Sequence, residues 1–516
     1  MDSNKQIKIG AIISYGVVVF NILAGLLYTP WMVAKIGRDD FGLYVLVTTF
    51  LAYFVVDYGM WQSINKLISQ YRAEGKSDKI QKTIGIASKI YLILDIFICI
   101  VLFFVYFFID SIFDNLSSDQ LVKFKTIFII AAVFSVLNFP FGFVRGIMFA
   151  YEYLIQNRFF ELGTKIVVIL CTVTVLFCGG GLYWLVLVYA FVPLLKNILI
   201  VFFLYHQGIR MNWRSWSKKI ARSIIGISVW LFLYVIAELF INNLSPTLIT
   251  IRSSLEQVAV FAIGVTIYGY IYQISNSVAG LFLPKISRMK YLGQTKEIGI
   301  YALKVGRIQL IISGYIIFGV FVTGSIFIKA WMGEAFADSY YVASLLIIPG
   351  LIIYAQQVEL AYLYALDKIY YQAILMLLSA ITAVTLSWIL IPTLGAIGAA
   401  IAICIANFLF MVIGMNIVYN VILKFDTSTF FKTALKFIFI FIVVGVLVNF
   451  LIFSVIENHL FIGNNWVKFI VIALIYSFIY SISSYCILLN DDEKGLIKEL
   501  LYKINNACKC LRIKHF

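Results

Sequence analysis

Long apolar runs separated by short polar breaks make up most of this chain. A helix that crosses a bilayer needs about 20 consecutive apolar residues, and runs of that length recur throughout. The pattern predicts fourteen transmembrane helices, of which the eleventh and twelfth are divided only by the short break from Ile391 to Gly395. The predicted spans are 10–34, 41–62, 84–109, 124–149, 159–178, 182–204, 223–247, 257–283, 301–328, 340–365, 371–391, 396–423, 433–456 and 467–489.

The composition supports a membrane protein. Hydrophobic residues make up 62% of the chain and charged residues 13%, whereas soluble domains carry roughly 25% charged residues. The first apolar run, from about Gly10 to Ala34, is too long for the core of a cleavable signal peptide, and no small-residue cleavage site follows it. We therefore interpret it as the first permanent span.

The formal net charge of +15 has a topological explanation. With the N-terminus inside, most of the 40 Lys and Arg residues fall in alternate loops and at the adjoining helix ends, and Lys196 alone stays in mid-membrane. This is the positive-inside pattern of a multi-pass protein in a cytoplasmic membrane, with both termini cytoplasmic. Basic loops suit the anionic inner leaflet, so nucleic acid is not an expected partner. The cytoplasmic loops are predicted to begin at Ser63, Ala150, Tyr205, Pro284, Leu366 and Lys424.

Cysteine and histidine usage predicts neither a disulfide framework nor a metal site. The seven cysteines lack paired spacing, and Cys508 and Cys510 form only a C-x-C. The three histidines, His206, His459 and His515, are far apart in the sequence. No cofactor is expected.

Two pairs of similar loops indicate an internal repeat. Glu74–Ile80 and Leu292–Ile298 share the order Gly, polar, Ser or Thr, two charged residues, Ile. Ala150–Glu152 is similarly matched by Ala365–Asp367. Both matches join elements six spans apart, which predicts two six-helix halves in the same orientation, a parallel repeat of the kind found in transporters.

The repeat sets the predicted domain boundaries. The N-terminal six-helix lobe covers 1–222 and the C-terminal lobe 223–432, followed by two additional transmembrane helices in 433–489. The remaining residues, 490–516, form a basic cytoplasmic tail whose Lys, Leu and Ile residues suit an amphipathic surface helix.

Several short motifs stand out along the chain. They are Pro30, Ile36-Gly37, Phe41-Gly42-Leu43-Tyr44, Val56-Asp57-Tyr58-Gly59, Lys329-Ala330-Trp331-Met332-Gly333 and Leu394-Gly395-Ala396-Ile397-Gly398-Ala399-Ala400. Together they resemble a known family, the bacterial polysaccharide flippases, or Wzx-type O-antigen and capsule exporters, of the multidrug/oligosaccharidyl-lipid/polysaccharide superfamily. Asn242 and Asn243 stand where the family usually has an Asp.

The resemblance implies an all-α, MATE-like fold of two six-helix lobes around a central cavity, plus two C-terminal helices. It also implies a lipid-diphosphate-linked oligosaccharide as cargo.

Two cations are candidate ligands for a diphosphate, since charges inside a membrane are costly and mark functional sites. Lys196 follows Pro193, which removes a backbone donor from the helix; its alternative roles are snorkelling or an ion pair with Glu238. Arg145 has a guanidinium that can form a bidentate hydrogen bond to a phosphate. Its alternative role is to anchor a helix end at the headgroups.

Three carboxylates are candidates for ion coupling or structural pairing. Glu238 and Glu359 lie in mid-span, where burial favours binding of a proton or sodium ion. Asp57 lies near the end of the second predicted span, where a contact between helices is the simpler explanation.

The expected function is export, not catalysis. The predicted partners are an undecaprenyl-diphosphate-linked glycan, membrane lipids and the polysaccharide polymerase or ligase machinery. An ion-coupled multidrug antiporter of the same superfamily is the alternative. An integral membrane polysaccharide polymerase is disfavoured, because the external loops are short and no Walker-type phosphate loop is present.

Overall fold

A computed structural model of the protein describes residues 3–55, 60–276, 282–451, 464–491 and 493–495. These residues form helices and short connections, and none of them lies in a β-strand. The helices are α1 (Ser3–Ile36), α2 (Arg38–Val55), α3 (Met60–Ala73), α4 (Ser77–Ile112), α5 (Ser118–Asn138), α6 (Phe143–Ala150), α7 (Leu154–Phe177), α8 (Leu182–His206), α9 (Lys218–Arg252), α10 (Leu255–Asn276), α11 (Phe282–Tyr291), α12 (Thr295–Met332), α13 (Ser339–Ile347), α14 (Gly350–Ala355), α15 (Gln357–Ala365), α16 (Tyr370–Asn407), α17 (Met415–Leu423), α18 (Thr427–Leu451) and α19 (Asn465–Ser483).

The predicted all-α membrane fold is confirmed. Eleven helical segments in the described part of the chain are long and apolar enough to cross a membrane. The count of fourteen spans stays a prediction. One of the eleven segments, Tyr370–Leu423, covers two predicted spans, and the predicted span 340–365 is divided among three short helices, α13 to α15.

The chain kinks at the break between the eleventh and twelfth predicted spans. Gly395 has φ 54° and ψ −131° within the otherwise helical α16, a left-handed conformation that only glycine adopts at little cost. The side chain of Gln257 replaces the lost helical bonding there, because its Oε1 accepts a hydrogen bond from Ala396 N at 3.0 Å. The kink therefore has both a backbone cause at Gly395 and a side-chain cap from α10.

The first repeated loop pair adopts the same turn twice. Gly75 and Gly293 both have positive φ, 68° and 72°. Lys76 N donates to Tyr71 O at 2.9 Å, and the equivalent bond in the second loop, from Gln294 N to Met289 O, measures 3.0 Å. Each turn ends one helix and starts the next through the bonding expected after a left-handed residue.

The second loop pair repeats in the same way. Glu152 and Asp367 are two of the three non-glycine residues with positive φ in the described chain, at 61° and 56°. Each donates its N–H at 3.0 Å to the carbonyl three residues earlier, on Phe149 and Tyr364 respectively. The sequence echoes thus correspond to matching local structure.

The helices group into two compact units. The first comprises Met1–Gly280, Asp338–Pro349 and Leu363–Leu423. In it, α16 packs along α9, α13 packs against α10 and α16, and α7 packs against α1 and α8. A Cβ added at Gly264 of α10 would lie 2.5 Å from Val342 Cγ1 of α13, so glycine permits that close approach.

The second unit comprises Leu281–Ala337, Gly350–Tyr362 and Lys424–Phe516. Its centre is α12, which packs against α14, α18 and α19. Tyr476 and Tyr480 of α19 donate their hydroxyls to the carbonyls of Tyr315 and Ile311 at 2.8 and 2.7 Å. The unit boundaries differ from the lobe boundaries predicted at 222 and 432, and the lobe assignment stays a prediction.

Candidate functional site

A chamber of about 480 Å³ lies within the first unit, among α1, α2, α7, α8, α9 and α10. Its wall carries hydroxyl and amide side chains from all six of these helices, interspersed with apolar residues. Lys165 is the one charged side chain among the described residues that line it. The polar lining residues are Asn21, Tyr28, Thr29, Tyr44, Thr49, Thr164, Lys165, Tyr189, Asn243 and Thr266.

Three tyrosines from separate helices meet in this wall. Tyr189 of α8 lies close enough to interact with both Tyr28 of α1 and Tyr44 of α2, and the rings of Tyr44 and Tyr189 have their centroids 5.3 Å apart. Tyr28 donates its hydroxyl to Met32 Sδ at 3.1 Å. The three neutral hydroxyls, called the tyrosine network below, can donate to or accept from a polar ligand.

Lys165 is positioned by α7, which begins at Leu154. At a rise of about 1.5 Å per residue, its Cα lies about 16 Å along the helix axis, near the middle of the span. One turn earlier, Glu161 accepts hydrogen bonds from Asn157 Nδ2 at 2.9 Å and from Arg158 Nη1 at 2.7 Å. Both oxygens of Glu161 are thus engaged, and within the described residues the Lys165 ammonium has no carboxylate within 4 Å.

Lys196 lies on α8, outside the lining of the chamber. The charged groups close enough to act on it are Glu161 of α7 and Arg145 of α6. Lys196 and Glu238 are both among the described residues, and they do not form an ion pair with each other. Its neighbour Asn197 donates from Nδ2 to Asn138 Oδ1 at 2.8 Å, which ties α8 to α5. Glu161 therefore acts on both Lys165 and Lys196.

Arg145 is exposed at the side of α6. Its guanidinium carbon lies 4.6 Å above the centre of the Trp61 ring and 5.9 Å from that of Phe149. Within the described chain it has no carboxylate partner. The aromatic contact holds the guanidinium through its face, which leaves its N–H groups available for an anion.

The predicted carboxylates lie in different environments. Glu238 of α9 is surrounded by tyrosines, with Tyr234, Tyr272 and Tyr364 close enough to feel its charge. Glu359 of α15 is buried at 4% exposure, and its Oε2 has no hydrogen-bond partner among the described residues. Asp57 lies outside the described residues, so its predicted role has no structural counterpart here.

Sequence analysis missed Lys165 and the tyrosine network. Lys165 was assigned to a helix end because the fifth span was predicted to start at 159, five residues after the observed start of α7. The available signal was the Glu161–Lys165 spacing, a four-residue separation that places both on one helix face inside an apolar run. The tyrosines gave no comparable signal, since they come from distant parts of the chain.

The helices and the chamber define a multi-pass membrane protein with polar side chains in a chamber among its spans. Residues 7–290 match the polysaccharide biosynthesis protein family, so the chain belongs to that family. This confirms the resemblance predicted from the sequence motifs. No curated protein matches the chain at a significant level.

Solved transporter structures share the fold. Lipid II flippase MurJ in an inward closed conformation aligns with a TM-score of 0.66 and 14% identity, over 92% of this chain and 98% of that one. An inward-facing multidrug resistance MATE family transporter of the MOP superfamily aligns with a TM-score of 0.59 and 14% identity, over 79% of this chain and 96% of that one. A MOP superfamily transporter from Pyrococcus furiosus aligns with a TM-score of 0.55 and 15% identity, over 80% of this chain and 94% of that one.

Proposed function

We propose that this protein is a flippase for a polyprenyl-diphosphate-linked oligosaccharide, the repeat unit of an O-antigen, capsule or exopolysaccharide. It moves the cargo from the inner to the outer leaflet of the bacterial cytoplasmic membrane by alternating access, with both termini cytoplasmic. A polymerase or ligase then consumes the exported unit. Family membership and the MOP-type fold support this proposal.

The observation that carries the proposal is the set of polar side chains in the wall of the chamber. Sugar hydroxyls taken into a membrane lose bonds to water worth a few kcal/mol each unless the protein replaces them. The chamber offers tyrosine, threonine and asparagine side chains for this purpose and a lysine for the diphosphate. Among its described lining residues there is no carboxylate to repel that anion.

The other cations extend this path in the proposal. Arg145 and Lys196 attract the diphosphate before it reaches Lys165. The three cations are linked, because the charge of Arg145 interacts with that of Lys196, and the charge of Glu161 interacts with both lysines. Glu238 and Glu359 are proposed to bind a coupling ion, a role supported by the buried, unpartnered Oε2 of Glu359. Asp57 is retained only as a candidate from the sequence.

One observation favours a second function, ion-coupled export of organic cations. Glu238 lies near Tyr234 and Tyr272, and a carboxylate close to aromatic rings suits a positively charged ligand. The similarity of the fold to multidrug transporters is compatible with this alternative. The flippase is expected to transport a negatively charged molecule, whereas the antiporter is expected to transport a positively charged one.

The deciding experiment measures transport in proteoliposomes. Protein is reconstituted with a fluorescent undecaprenyl-diphosphate oligosaccharide, and flipping is followed by quenching from outside, with and without a proton or sodium gradient. The expected result is flipping by the native chain and none by empty liposomes. Extrusion of a small organic cation without movement of the glycolipid would replace the flippase with the antiporter.

Lys165→Gln tests the site within the same assay. At about 4 Å and an effective dielectric constant of about 20, two unit charges attract by about 4 kcal/mol. Exposure to water in the chamber and the nearby Glu161 charge reduce this to about 2 kcal/mol, or about 30-fold in affinity. Lys165→Arg is expected to retain most transport, and Lys296→Gln, at an exposed lysine on α12, is the matched control.

A further inference from the structure

A second, smaller pocket lies at one end of the helices of the first unit, apart from the chamber. Its volume is about 190 Å³. The inner wall is apolar and buried, whereas Tyr205, Arg210 and Met211 stand at its rim. The wall residues used in the argument below are Ile84 of α4, Val144 and Ile147 of α6, and Val201 and Leu204 of α8.

The rim is held in place by the connecting segment between α8 and α9, residues 207–217. Asn212 N donates to Gln81 O at 3.1 Å, and Lys89 Nζ donates to Ser215 O at 3.2 Å. A Cβ at Gly85 of α4 would overlap the Asn212 carbonyl. The segment is therefore packed directly on α4, so the pocket is a formed feature of the fold.

The charge at this rim is uniformly positive. The Arg210 guanidinium carbon lies 3.7 Å from the centre of the Tyr205 ring. Arg214 follows in the segment, and Lys218 and Lys219 are the first two residues of α9. Within the described chain none of these four cations forms an ion pair with a carboxylate. Lys89 is similarly unpaired, and its ammonium lies 5.9 Å from the centre of the Trp216 ring.

The surroundings of the pocket face lipid rather than water. Large apolar side chains are exposed on the adjoining stretches of both α4 and α8. Trp213 and Trp216 of the connecting segment are 47% and 52% exposed, and tryptophan beside basic residues is typical of the headgroup level of a membrane. The exposed apolar residues are Ile93, Ile96 and Phe97 on α4 and Ile198, Leu199 and Phe202 on α8.

We propose that this pocket binds one anionic phospholipid of the leaflet that the 207–217 segment meets. An acyl chain enters between α4 and α8 and packs on Val144, Ile147 and Val201. The phosphate is held by Arg210 and Arg214, and the two tryptophans lie beside the headgroup. A water-soluble anion would use the arginines but leave the apolar pocket unfilled, which is why a lipid is the occupant that accounts for both features.

The site is separate from the chamber. Its wall shares no lining residue with the chamber, and its occupant does not have to cross the membrane. The positive-inside prediction makes the leaflet cytoplasmic, where anionic lipids are enriched. A lipid bound there would fasten α4, α8 and the 207–217 segment to the bilayer.

The test is site-resolved photolabelling. Native protein in mixed vesicles receives a phosphatidylglycerol carrying a diazirine in its acyl chain, or the matching phosphatidylcholine probe, and labelled peptides are mapped by mass spectrometry. The expected result is labelling of the pocket wall, preferentially by phosphatidylglycerol. Equal labelling by both probes, or no label in peptides that contain residues 201–211, would overturn the proposal.

Variants separate the charge from the pocket. Each arginine near an anionic surface contributes about 1 kcal/mol, so Arg210→Ala is expected to lower phosphatidylglycerol labelling about fivefold. Arg288→Ala, at an exposed arginine of α11, is the matched control and leaves labelling unchanged. Val201→Phe fills the cavity and is expected to reduce labelling by both probes.

Folding and competition controls keep the result decisive. Each variant is compared with native protein by size exclusion and thermal unfolding, and Arg210→Ala alone, at an exposed side chain, suffices for the charge test. Unlabelled phosphatidylglycerol is expected to compete with the probe, whereas inorganic phosphate is not. Equal competition by phosphate would show an anion site without a lipid and would refute the proposal.

Discussion

Replacing Glu493 with glutamine tests the contact that fastens the residues after α19 to α12. Arg307 donates from Nε to Glu493 Oε1 at 3.0 Å and from Nη2 to Oε2 at 3.2 Å, and Nη2 also donates to Leu488 O at 2.8 Å. Asn490 N donates to the same carboxylate at 2.8 Å. The Glu493 side chain is 5% exposed and that of Arg307 22%.

The expected loss follows from this geometry. Removing one partner of a buried ion pair costs about 3 to 5 kcal/mol, because the other charge is left buried. Arg307 is partly open to water and keeps its bond to Leu488, and glutamine retains one acceptor oxygen. We therefore expect Glu493→Gln to lower the free energy of unfolding by about 2 kcal/mol.

The pair also predicts a dependence on pH. Burial alone raises the pKa of Glu493, but hydrogen bonds from Arg307 and Asn490 N, together with the Arg307 charge, outweigh it and hold the pKa below its ordinary value. A depressed folded-state pKa means that the stabilisation is complete above the unfolded-state pKa. It is lost as the pH falls through the folded-state value.

The assay is thermal unfolding of purified protein in detergent, combined with proteolysis of the C-terminal residues. Asp491→Asn is the matched control, since it removes an exposed carboxylate two residues away and is expected to change stability by less than about 0.5 kcal/mol. A double-mutant cycle with Arg307→Gln isolates the coupling. Coupling below about 0.5 kcal/mol, or equal effects of the two carboxylate variants, would refute the reasoning.

Two further predictions concern the chamber and the packing around it. Tyr189→Phe removes the hydroxyl that lies close to those of Tyr28 and Tyr44 and is expected to cost about 1 to 2 kcal/mol in thermal unfolding, with Tyr183→Phe at an exposed position of α8 as control. Gly42→Val is expected to destabilise the protein by about 1 to 3 kcal/mol, because its Cβ would overlap the backbone carbonyl of Leu255. Gly16→Ala, which meets no atom within 4 Å, is the control, and equal melting temperatures for the two glycine variants would contradict the packing argument.

The sequence could predict the helical membrane fold because apolar runs and glycine turns are local signals. The paired loops at Gly75 and Gly293 show this best, since a short motif determines a turn that recurs with nearly the same bonds. The kink at Gly395 follows from the same kind of signal. These features depend on residues close together in the chain, which is why reading the sequence sufficed.

The chamber could not be predicted in the same way. The polar residues from 156 to 158 favour a loop on sequence grounds. In the structure the side chains of Asn157 and Arg158 donate hydrogen bonds to Glu161, and α7 includes these residues. That extension moves Lys165 into mid-span. The tyrosine network depends on three helices meeting, and no local pattern encodes which distant hydroxyls will come together.

The clustering of Tyr28, Tyr44 and Tyr189 has a consequence for turnover in the proposed flippase. Hydroxyls that lie close together can bond to one another when the chamber holds no cargo, so an arriving sugar would exchange those bonds for new ones of similar strength. The net gain on occupancy would then be small, and the ligand would depart quickly. A carrier that must discharge its load on every cycle works fastest when loading and unloading are nearly balanced, and under the proposal these three hydroxyls supply that balance.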